Sequence, residues 1–190
     1  MQCDSLIECT LVLIKPDAVK RGLIGEIITR FEKAGLRLAA IKITNCSKQT
    51  LDSHFPINDL DWIRSMGEKA VENCNANGID ITVIVDTKDP LLIGRYILNL
   101  NYDYLLSGPI IAMIWQGQHS VSLVRKIVGS TIPANAAPGT IRGDFSSSSS
   151  DYSLANGMAC QNVIHASSSK AESLRECSIW FTQHEINKTT

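Results

Sequence analysis

Several features that mark common classes of protein are missing from this sequence. Its six cysteines contain no C-x-x-C pair, which excludes a zinc ribbon and a small disulfide scaffold; they are Cys3, Cys9, Cys46, Cys74, Cys160 and Cys177. We expect free, mostly buried thiols in a reducing compartment. Neither G-x-x-x-x-G-K-[ST] nor G-x-G-x-x-G occurs, so the two commonest phosphate-binding loops are absent. A nucleotide enzyme with this sequence needs another way to hold phosphate.

An excess of charge and a long apolar run are missing as well. Eighteen Lys and Arg against nineteen Asp and Glu leave a net charge of −1, so no broad attraction to nucleic acid or anionic lipid is expected. No apolar run approaches the roughly 18 residues of a membrane span. Asp4 and Glu8 lie where a signal peptide carries lysines. We therefore expect a cytoplasmic protein with no membrane partner, in which a few placed cations hold any anionic ligand.

The chain of 190 residues, 44% hydrophobic, is long enough for one domain with insertions. Short apolar runs predict four strands, and apolar residues at helical spacing predict the helices between them. The strands are Thr10 to Lys15, Leu36 to Ile43, Pro109 to Trp115 and Asn162 to Ala166. This order is typical of the α+β class and of the ferredoxin-like split βαβ arrangement, a four-stranded antiparallel sheet with helices on one face.

Two segments interrupt this pattern within a single predicted domain, residues 1–190. Residues from about 58 to 106 are interpreted as a helical insertion that is too short for a core of its own. Residues from about 146 to 160, which begin with the run Ser146 to Ser150, are interpreted as a solvent-exposed polar excursion. The irregular stretch Ser130 to Asp144 between them is long for a compact domain, which is typical of a functional or a disordered loop.

Polar groups at the predicted element ends and in this loop are the candidates for chemistry: Lys15, Arg125, Thr131, Arg142 and His165. Guanidinium and ammonium groups beside an imidazole suit a polyphosphate site, because arginine presents a rigid donor fork to phosphate oxygens. Taken singly, each has a simpler interpretation: a helix arginine is commonly solvated, and a strand-end histidine is commonly a hydrogen-bonded structural residue.

Several segments in a fixed order carry a family resemblance. GTIRGDF at 139–145, followed by NVIHAS at 162–167, resembles the active-site signature of nucleoside diphosphate kinases. IKPD at 14–17 and RGLIG at 21–25 match the opening of that family, and the resemblance continues to Trp180 and Phe181. It implies the ferredoxin-like fold and a homo-oligomer, either a hexamer or a tetramer.

The resemblance also implies a ping-pong reaction. His165 takes the terminal phosphoryl group of a nucleoside triphosphate, typically ATP, and passes it to a nucleoside diphosphate. It assigns the remaining site residues as follows: Arg125, Arg142 and Thr131 to the phosphates, Lys15 and Asn162 to the sugar hydroxyls and the terminal phosphate, and Phe55 to a family tyrosine position near the histidine. Mg²⁺ is expected to arrive with the nucleotide phosphates, without a dedicated carboxylate cluster.

Glu176, eleven residues after His165, is assigned by the resemblance to accept a hydrogen bond from the imidazole. The expected donor is Nδ1–H, with the two nitrogens able to exchange roles. The simpler interpretation is a solvated glutamate paired with Lys170 or Arg175. Ser169 and Glu172 predict a capping box at the start of its helix.

Two departures from the family pattern affect these assignments. Ser168 replaces an aspartate that could have paired with Lys15, and the stacking phenylalanine for the base has no clean counterpart, with Trp62 as the candidate. A pocket that stacks a base without reading its edges should accept purines and pyrimidines alike.

Two other classes of function remain open. A non-catalytic ligand-binding domain could share this fold. An RNA-binding module could also share it but needs stacking aromatics and a basic face, which the NVIHAS strand lacks, so no specific nucleic-acid partner is expected.

Overall fold

A computed structural model of the chain describes residues 7–187. Its sheet has four antiparallel strands in the order β2-β3-β1-β4. The strands are β1 (Ile7–Ile14), β2 (Arg37–Thr44), β3 (Ile110–Gln118) and β4 (Ile164–Ala166). The predicted α+β class and the antiparallel sheet are confirmed.

Nine α-helices join and cover these strands within the described residues: α1 (Pro16–Lys20), α2 (Ile24–Lys33), α3 (Lys48–His54), α4 (Leu60–Ala76), α5 (Pro90–Leu106), α6 (Ser120–Val128), α7 (Ile141–Phe145), α8 (Ser150–Ala155) and α9 (Lys170–Trp180). The predicted capping box of α9 is only half formed. Ser169 Oγ accepts from the Glu172 N–H, but the Glu172 carboxylate accepts from Ser168 instead of from the Ser169 backbone.

Helices cover both faces of the sheet, not one face as predicted. Alternate residues of β1 point to opposite sides. Val12 and Ile14 pack in a core with residues of α2, α6 and α7, whereas Leu11 and Leu13 pack with residues of α3, α5 and α9. The predicted short apolar run of β1 is therefore hydrophobic on both sides because it lies inside two layers of helix.

The insertion forms most of a third hydrophobic core, which it shares with Leu154 of the serine-rich segment. Helices α4 and α5 cross so closely that a Cβ on Gly67 would lie 1.9 Å from the Pro90 carbonyl oxygen, and one on Gly94 would lie 2.0 Å from that of Ile63. The small third core contains Ala70, Cys74, Ile81, Ile93 and Leu154. Glycine has no side chain, so the backbones of the two helices can touch at these positions. This close approach lets a short hairpin bury the side chains of the third core.

The serine-rich segment is also less exposed than predicted. Part of it forms α8, whose Ser153 and Leu154 are buried, and Leu154 joins the core of the insertion. The Ser149 side chain caps the helix by accepting from the Tyr152 N–H. Serine serves here as a helix cap, a local role that composition alone does not distinguish from disorder.

The described cysteines are all free thiols, as predicted, but only Cys74 is buried and the other four are partly exposed. Cys3 and the residues before Ile7 lie outside the described part of the chain. Among residues 7–187, no helix has both the length and the apolar character needed to cross a bilayer.

Candidate active site

His165 lies on the short strand β4, opposite Leu13 of β1. The residue two before it, Val163, is fully buried and has a φ of 70°, a conformation that costs a β-branched residue about 1–3 kcal/mol. The Val163 carbonyl accepts from the Lys15 N–H at 2.9 Å. The backbone before the histidine is thus strained and is hydrogen-bonded to the end of β1. This bond fixes the backbone position from which the His165 side chain extends.

The Glu176 carboxylate of α9 holds one nitrogen of that imidazole. His165 Nε2 lies 3.0 and 3.1 Å from the two carboxylate oxygens, and Ser167 Oγ donates to Oε2 at 2.6 Å. Of the two nitrogens considered from the sequence, the structure therefore places Nε2, not Nδ1, against Glu176. With the proton on Nε2, the Nδ1 lone pair is available to react.

The alternative interpretation of Glu176 as a solvated residue is wrong. Its side chain is 1% exposed. Lys170 pairs with Glu8 at 2.7 Å, and Arg175 donates to the carbonyls of Ser53 and His54. Both cations that could have paired with Glu176 are bonded elsewhere.

A second histidine, which the sequence analysis missed, completes this cluster. His54 is 3% exposed, and its Nδ1 lies 3.3 Å from Glu176 Oε1 and 3.3 Å from Trp180 Nε1. Its ring centroid is 4.7 Å from that of His165. The only sequence signal was its position directly before Phe55, which alone does not distinguish it from an ordinary helix end.

Burial sets the protonation of the three groups. It lowers the pKa of His165 to about 3, with Lys15 as the next cause, and that of His54 to about 3, with His165 as the next cause. Burial raises the pKa of Glu176, opposed by His54 and Ser167. Both imidazoles are neutral near pH 7, which is the state a histidine nucleophile requires.

Lys15 is a charged neighbour of His165 and is 9% exposed. Its Nζ donates to Asn162 Oδ1 at 2.7 Å and lies 5.1 Å from the centroid of the Tyr104 ring. Asn162 Nδ2 in turn donates to the Thr131 carbonyl at 2.9 Å. Burial, followed by Arg142, lowers the pKa of Lys15 to about 8. The structure thus brings Lys15, Asn162 and Thr131 together.

The two predicted arginines differ in how much of their hydrogen-bonding capacity is free. Arg142 is 5% exposed, and it donates to the carbonyls of Gly129, Ser130, Asn162 and Ile164. Those four bonds use four of its five N–H groups. Arg125 is exposed on α6, and its side chain has no hydrogen bond or ion pair with any other residue between 7 and 187. Only Arg125 presents a whole guanidinium to a ligand.

A cleft of about 630 Å³ lies beside these residues. Thr131 and Asn162 line it together with Met66 and Ala70 of α4 and Leu100 of α5, so the wall is mainly hydrophobic. Trp62, the predicted base-stacking residue, is not among the lining residues. It packs on Phe55 at 6.2 Å instead.

Phe55 also lies beside the histidine cluster and not in the cleft. Its ring packs edge-on against His54 at 5.1 Å and stacks on Tyr102 at 5.6 Å. Ser168, the other departure noted in the sequence, bonds to Glu172 and not to Lys15.

Known proteins resemble this chain over nearly its whole length. The family model for nucleoside diphosphate kinase matches residues 8–60 and 94–186. The nucleoside diphosphate kinase of Pyrobaculum aerophilum is 43% identical over 180 residues, which cover 95% of this chain and 98% of that protein.

Solved structures show the same similarity. The crystal structure of an NDP kinase from P. aerophilum has a TM-score of 0.92 at 41% identity, covering 96% of this chain and 100% of that one. A transition-state mimic of the Borrelia burgdorferi nucleoside-diphosphate kinase, with bound vanadate and ADP, has a TM-score of 0.78 at 32% identity, covering 98% and 94%. The similarity includes every segment that carries the cluster around His165.

Proposed function

The chain belongs to the nucleoside diphosphate kinase family, a family of enzymes that exchange phosphoryl groups between nucleoside tri- and diphosphates, and we propose that His165 Nδ1 is the nucleophile. The observation that carries this assignment is the pair of contacts from both Glu176 oxygens to Nε2. They leave Nδ1 as the ring nitrogen without a carboxylate partner.

The reaction proceeds in two balanced halves. The Nδ1 lone pair forms a bond to the terminal phosphorus of the donor, and the bond from that phosphorus to its bridging oxygen breaks, with its electrons leaving on the diphosphate. A terminal oxygen of the acceptor diphosphate then attacks the same phosphorus, and the N–P bond breaks. The Nε2 proton stays on the ring throughout, where the Glu176 carboxylate stabilises the positive charge that develops.

The three cationic side chains have different proposed roles toward the phosphates. Arg125, whose guanidinium has no partner among residues 7–187, binds the phosphate oxygens, and Lys15 contributes a buried positive charge. Arg142 orders the loops around Gly129 and Asn162 and offers the phosphates its one remaining N–H. The Thr131 hydroxyl and the Asn162 side chain complete the sugar and phosphate contacts that the family resemblance implies.

Mg²⁺ is proposed to enter on the nucleotide. In the described residues, the group with metal-ligand spacing is His54, His165 and Glu176, which is buried and rich in imidazole. Mg²⁺ prefers oxygen ligands and usually combines a few carboxylates with substrate phosphates and water. This set does not fit it, so the phosphate oxygens are the proposed ligands and the ion screens their charge.

The base is proposed to lie in the cleft beside Thr131 and Asn162. The hydrophobic residues Met66, Ala70 and Leu100, which lie among polar side chains of α4 and α5 in the wall, offer surface for any base. Phe55 is proposed to support the His54 ring from outside the cleft. The location in the cytoplasm stays a prediction from the sequence.

The edge strand β2 is the proposed contact between copies in a homo-oligomer. Ile41 and Ile43 are 48% and 67% exposed on this strand, whose edge is bonded at Ala39 to the Asn187 N–H. An edge strand with exposed apolar side chains is a template for association. Light scattering in solution tests this, and a monomer at micromolar concentration would overturn it.

The nucleophile is tested by incubation with ATP labelled at the terminal phosphate. We expect acid-labile label on the wild type and none on His165→Ala, together with complete loss of turnover. His184→Ala serves as the matched control, because His184 is exposed after α9, and it should label fully. Label retained by His165→Ala would refute the assignment.

A further inference from the structure

We propose that Tyr104 and Asp17 act as a pair that keeps Lys15 charged and directed at the nucleotide, which makes Tyr104 a positioning residue for phosphoryl transfer. The inference rests on the proposed function, in which Lys15 binds nucleotide. Neither residue was singled out for this role from the sequence.

The geometry around the Lys15 ammonium carries the first step. Nζ has three N–H donors, and the only acceptor given to it by the described residues is Asn162 Oδ1 at 2.7 Å. The face of the Tyr104 ring lies 5.1 Å from Nζ, which is within the range of a cation–π contact. Because an aromatic face attracts a cation without accepting a specific hydrogen bond, it supports the charge and leaves N–H groups for phosphate.

The Tyr104 ring is itself held in place. It is 8% exposed on α5, and its hydroxyl donates to Asp17 Oδ1. Asp17 lies in the first turn of α1, two residues after Lys15. Burial, followed by Asp17, raises the pKa of Tyr104, so the phenol stays neutral and remains a donor. One carboxylate thus fixes the ring and lies near the lysine that the ring supports.

The charges facing Lys15 explain why this support is needed. Arg142 from α7 disfavours the charged form of Lys15, while Asp17 and Cys160 favour it. The other polar or titratable neighbours of Lys15 are Asn162, Tyr104 and the two neutral histidines, His165 and His54. Asp17 is the only carboxylate in the recorded surroundings of this lysine. With a pKa of about 8, Lys15 is close to losing its proton at physiological pH, so a modest change in its surroundings alters the fraction charged.

The experiment measures KM for ADP between pH 6 and 9.5 in the wild type and five variants. In the wild type, KM should rise above about pH 8 as Lys15 deprotonates. Tyr104→Leu removes the ring, and we expect this rise to move about one pH unit lower, with KM at pH 7.5 increasing roughly 10-fold. Tyr104→Phe keeps the ring, and the rise should move by less than about half a unit. Asp17→Asn keeps an acceptor and removes the charge, so the rise should again move to lower pH.

Tyr102→Leu is the matched control. Tyr102 lies on the same helix and also donates to an aspartate, Asp52, at 2.8 Å, but no contact joins it to Lys15 among the described residues. The rise of KM should stay at its wild-type pH in this variant. A general loosening of α5 would change both tyrosine variants equally.

The Lys15→Met variant separates the proposed role of Lys15 in binding nucleotide from the proposed role of the Tyr104–Asp17 pair. If this variant binds ADP like the wild type, the proposed role of Lys15 fails. If Lys15→Met abolishes the pH-dependent rise while Tyr104→Leu and Asp17→Asn leave it in place, Lys15 binds nucleotide without help from the pair and the inference is overturned. Circular dichroism confirms folding, and the milder Asp17→Asn carries the test if Tyr104→Leu does not fold.

Discussion

The sheet and its active-site loops form one region of the molecule, and the inserted hairpin of α4 and α5 forms another. The two regions are packed in opposite ways. Around the sheet, polar side chains are buried and paired: Arg142, Asn162 and Glu176 are 5, 7 and 1% exposed and all have hydrogen-bonding partners. The hairpin instead packs glycine against backbone at Gly67 and Gly94 and lines the cleft with a mixture of hydrophobic and polar side chains. The reactive groups thus lie around the sheet. The hairpin supplies one wall of the cleft and, through Tyr104 near the end of α5, the ring beside Lys15.

This difference predicts how substitutions in each region change kcat and KM. A fixed polar network acts on the transition state, because the charge that develops there must meet groups already in place. A hydrophobic wall contacts substrate and transition state equally, so its loss raises KM and leaves kcat unchanged. The following variants test that division.

The largest expected effect is on stability, from Arg142→Ala. Four carbonyl groups lose their donor, and each unsatisfied buried group costs about 1–3 kcal/mol. We expect the free energy of unfolding in urea to fall by about 3 kcal/mol or more. Arg125→Ala is the contrasting variant: its guanidinium has no partner among residues 7–187, so stability should change by less than about 0.5 kcal/mol, while phosphate affinity weakens.

Equal stability of the two arginine variants would contradict the division. It would mean that the loops around Gly129 and Asn162 hold their shape without Arg142, and that both arginines are free to bind phosphate as the sequence alone predicted.

Much of the region around the sheet could be predicted from the sequence, because its signals are local. The GTIRGDF and NVIHAS motifs located Arg142 and His165, and short apolar runs located the strands. What the sequence did not show depends on contacts between distant residues. His54 and Glu176 are 122 positions apart and meet only because α3 packs on α9. The choice of Nε2 over Nδ1 depends on ring orientation, which no motif encodes.

The hairpin was predicted less well for a related reason. Its helices have recognisable spacing, but whether a short insertion has a core depends on how closely its helices approach. Gly67 and Gly94 allow a backbone contact that side-chain patterns do not reveal, and Leu154 of the serine-rich segment completes the core from outside. Composition predicted exposure there because serine and asparagine are common in loops.

The second prediction concerns the rate of phosphorylation of His165 in Glu176→Gln. Glutamine keeps the shape and one acceptor but not the charge, so the imidazolium that forms on attack loses its counter-charge. We expect at least about a 10-fold slower rate at saturating ATP, equivalent to about 1.4 kcal/mol, with nucleotide affinity within a factor of a few. Rapid-quench labelling measures the rate.

The pH profile sharpens this test. Burial raises the pKa of Glu176, so the wild-type rate should fall as the pH drops through that raised value and the carboxylate is protonated, whereas the variant should lack this step. Glu68→Gln is the control, because Glu68 is an exposed glutamate of α4 and is not among the charged groups that act on the pKa of His165. Equal rates in Glu176→Gln and the wild type would leave the orientation of His165 without an explanation.

The smallest expected effect is in the hairpin, from Met66→Ala, which removes a side chain from the wall of the cleft. The lost contact corresponds to about one buried methylene, roughly 0.8 kcal/mol, so KM for ADP should rise about 3- to 4-fold with kcat unchanged. Val83→Ala, 85% exposed in the same insertion, should leave both constants unaltered. Steady-state kinetics with ADP and with CDP should give similar ratios, because a hydrophobic wall contacts either base. A fall in kcat at constant KM would show instead that the cleft wall, and not only Tyr104, helps to position the reacting groups, and the separation between the region around the sheet and the cleft wall would not hold.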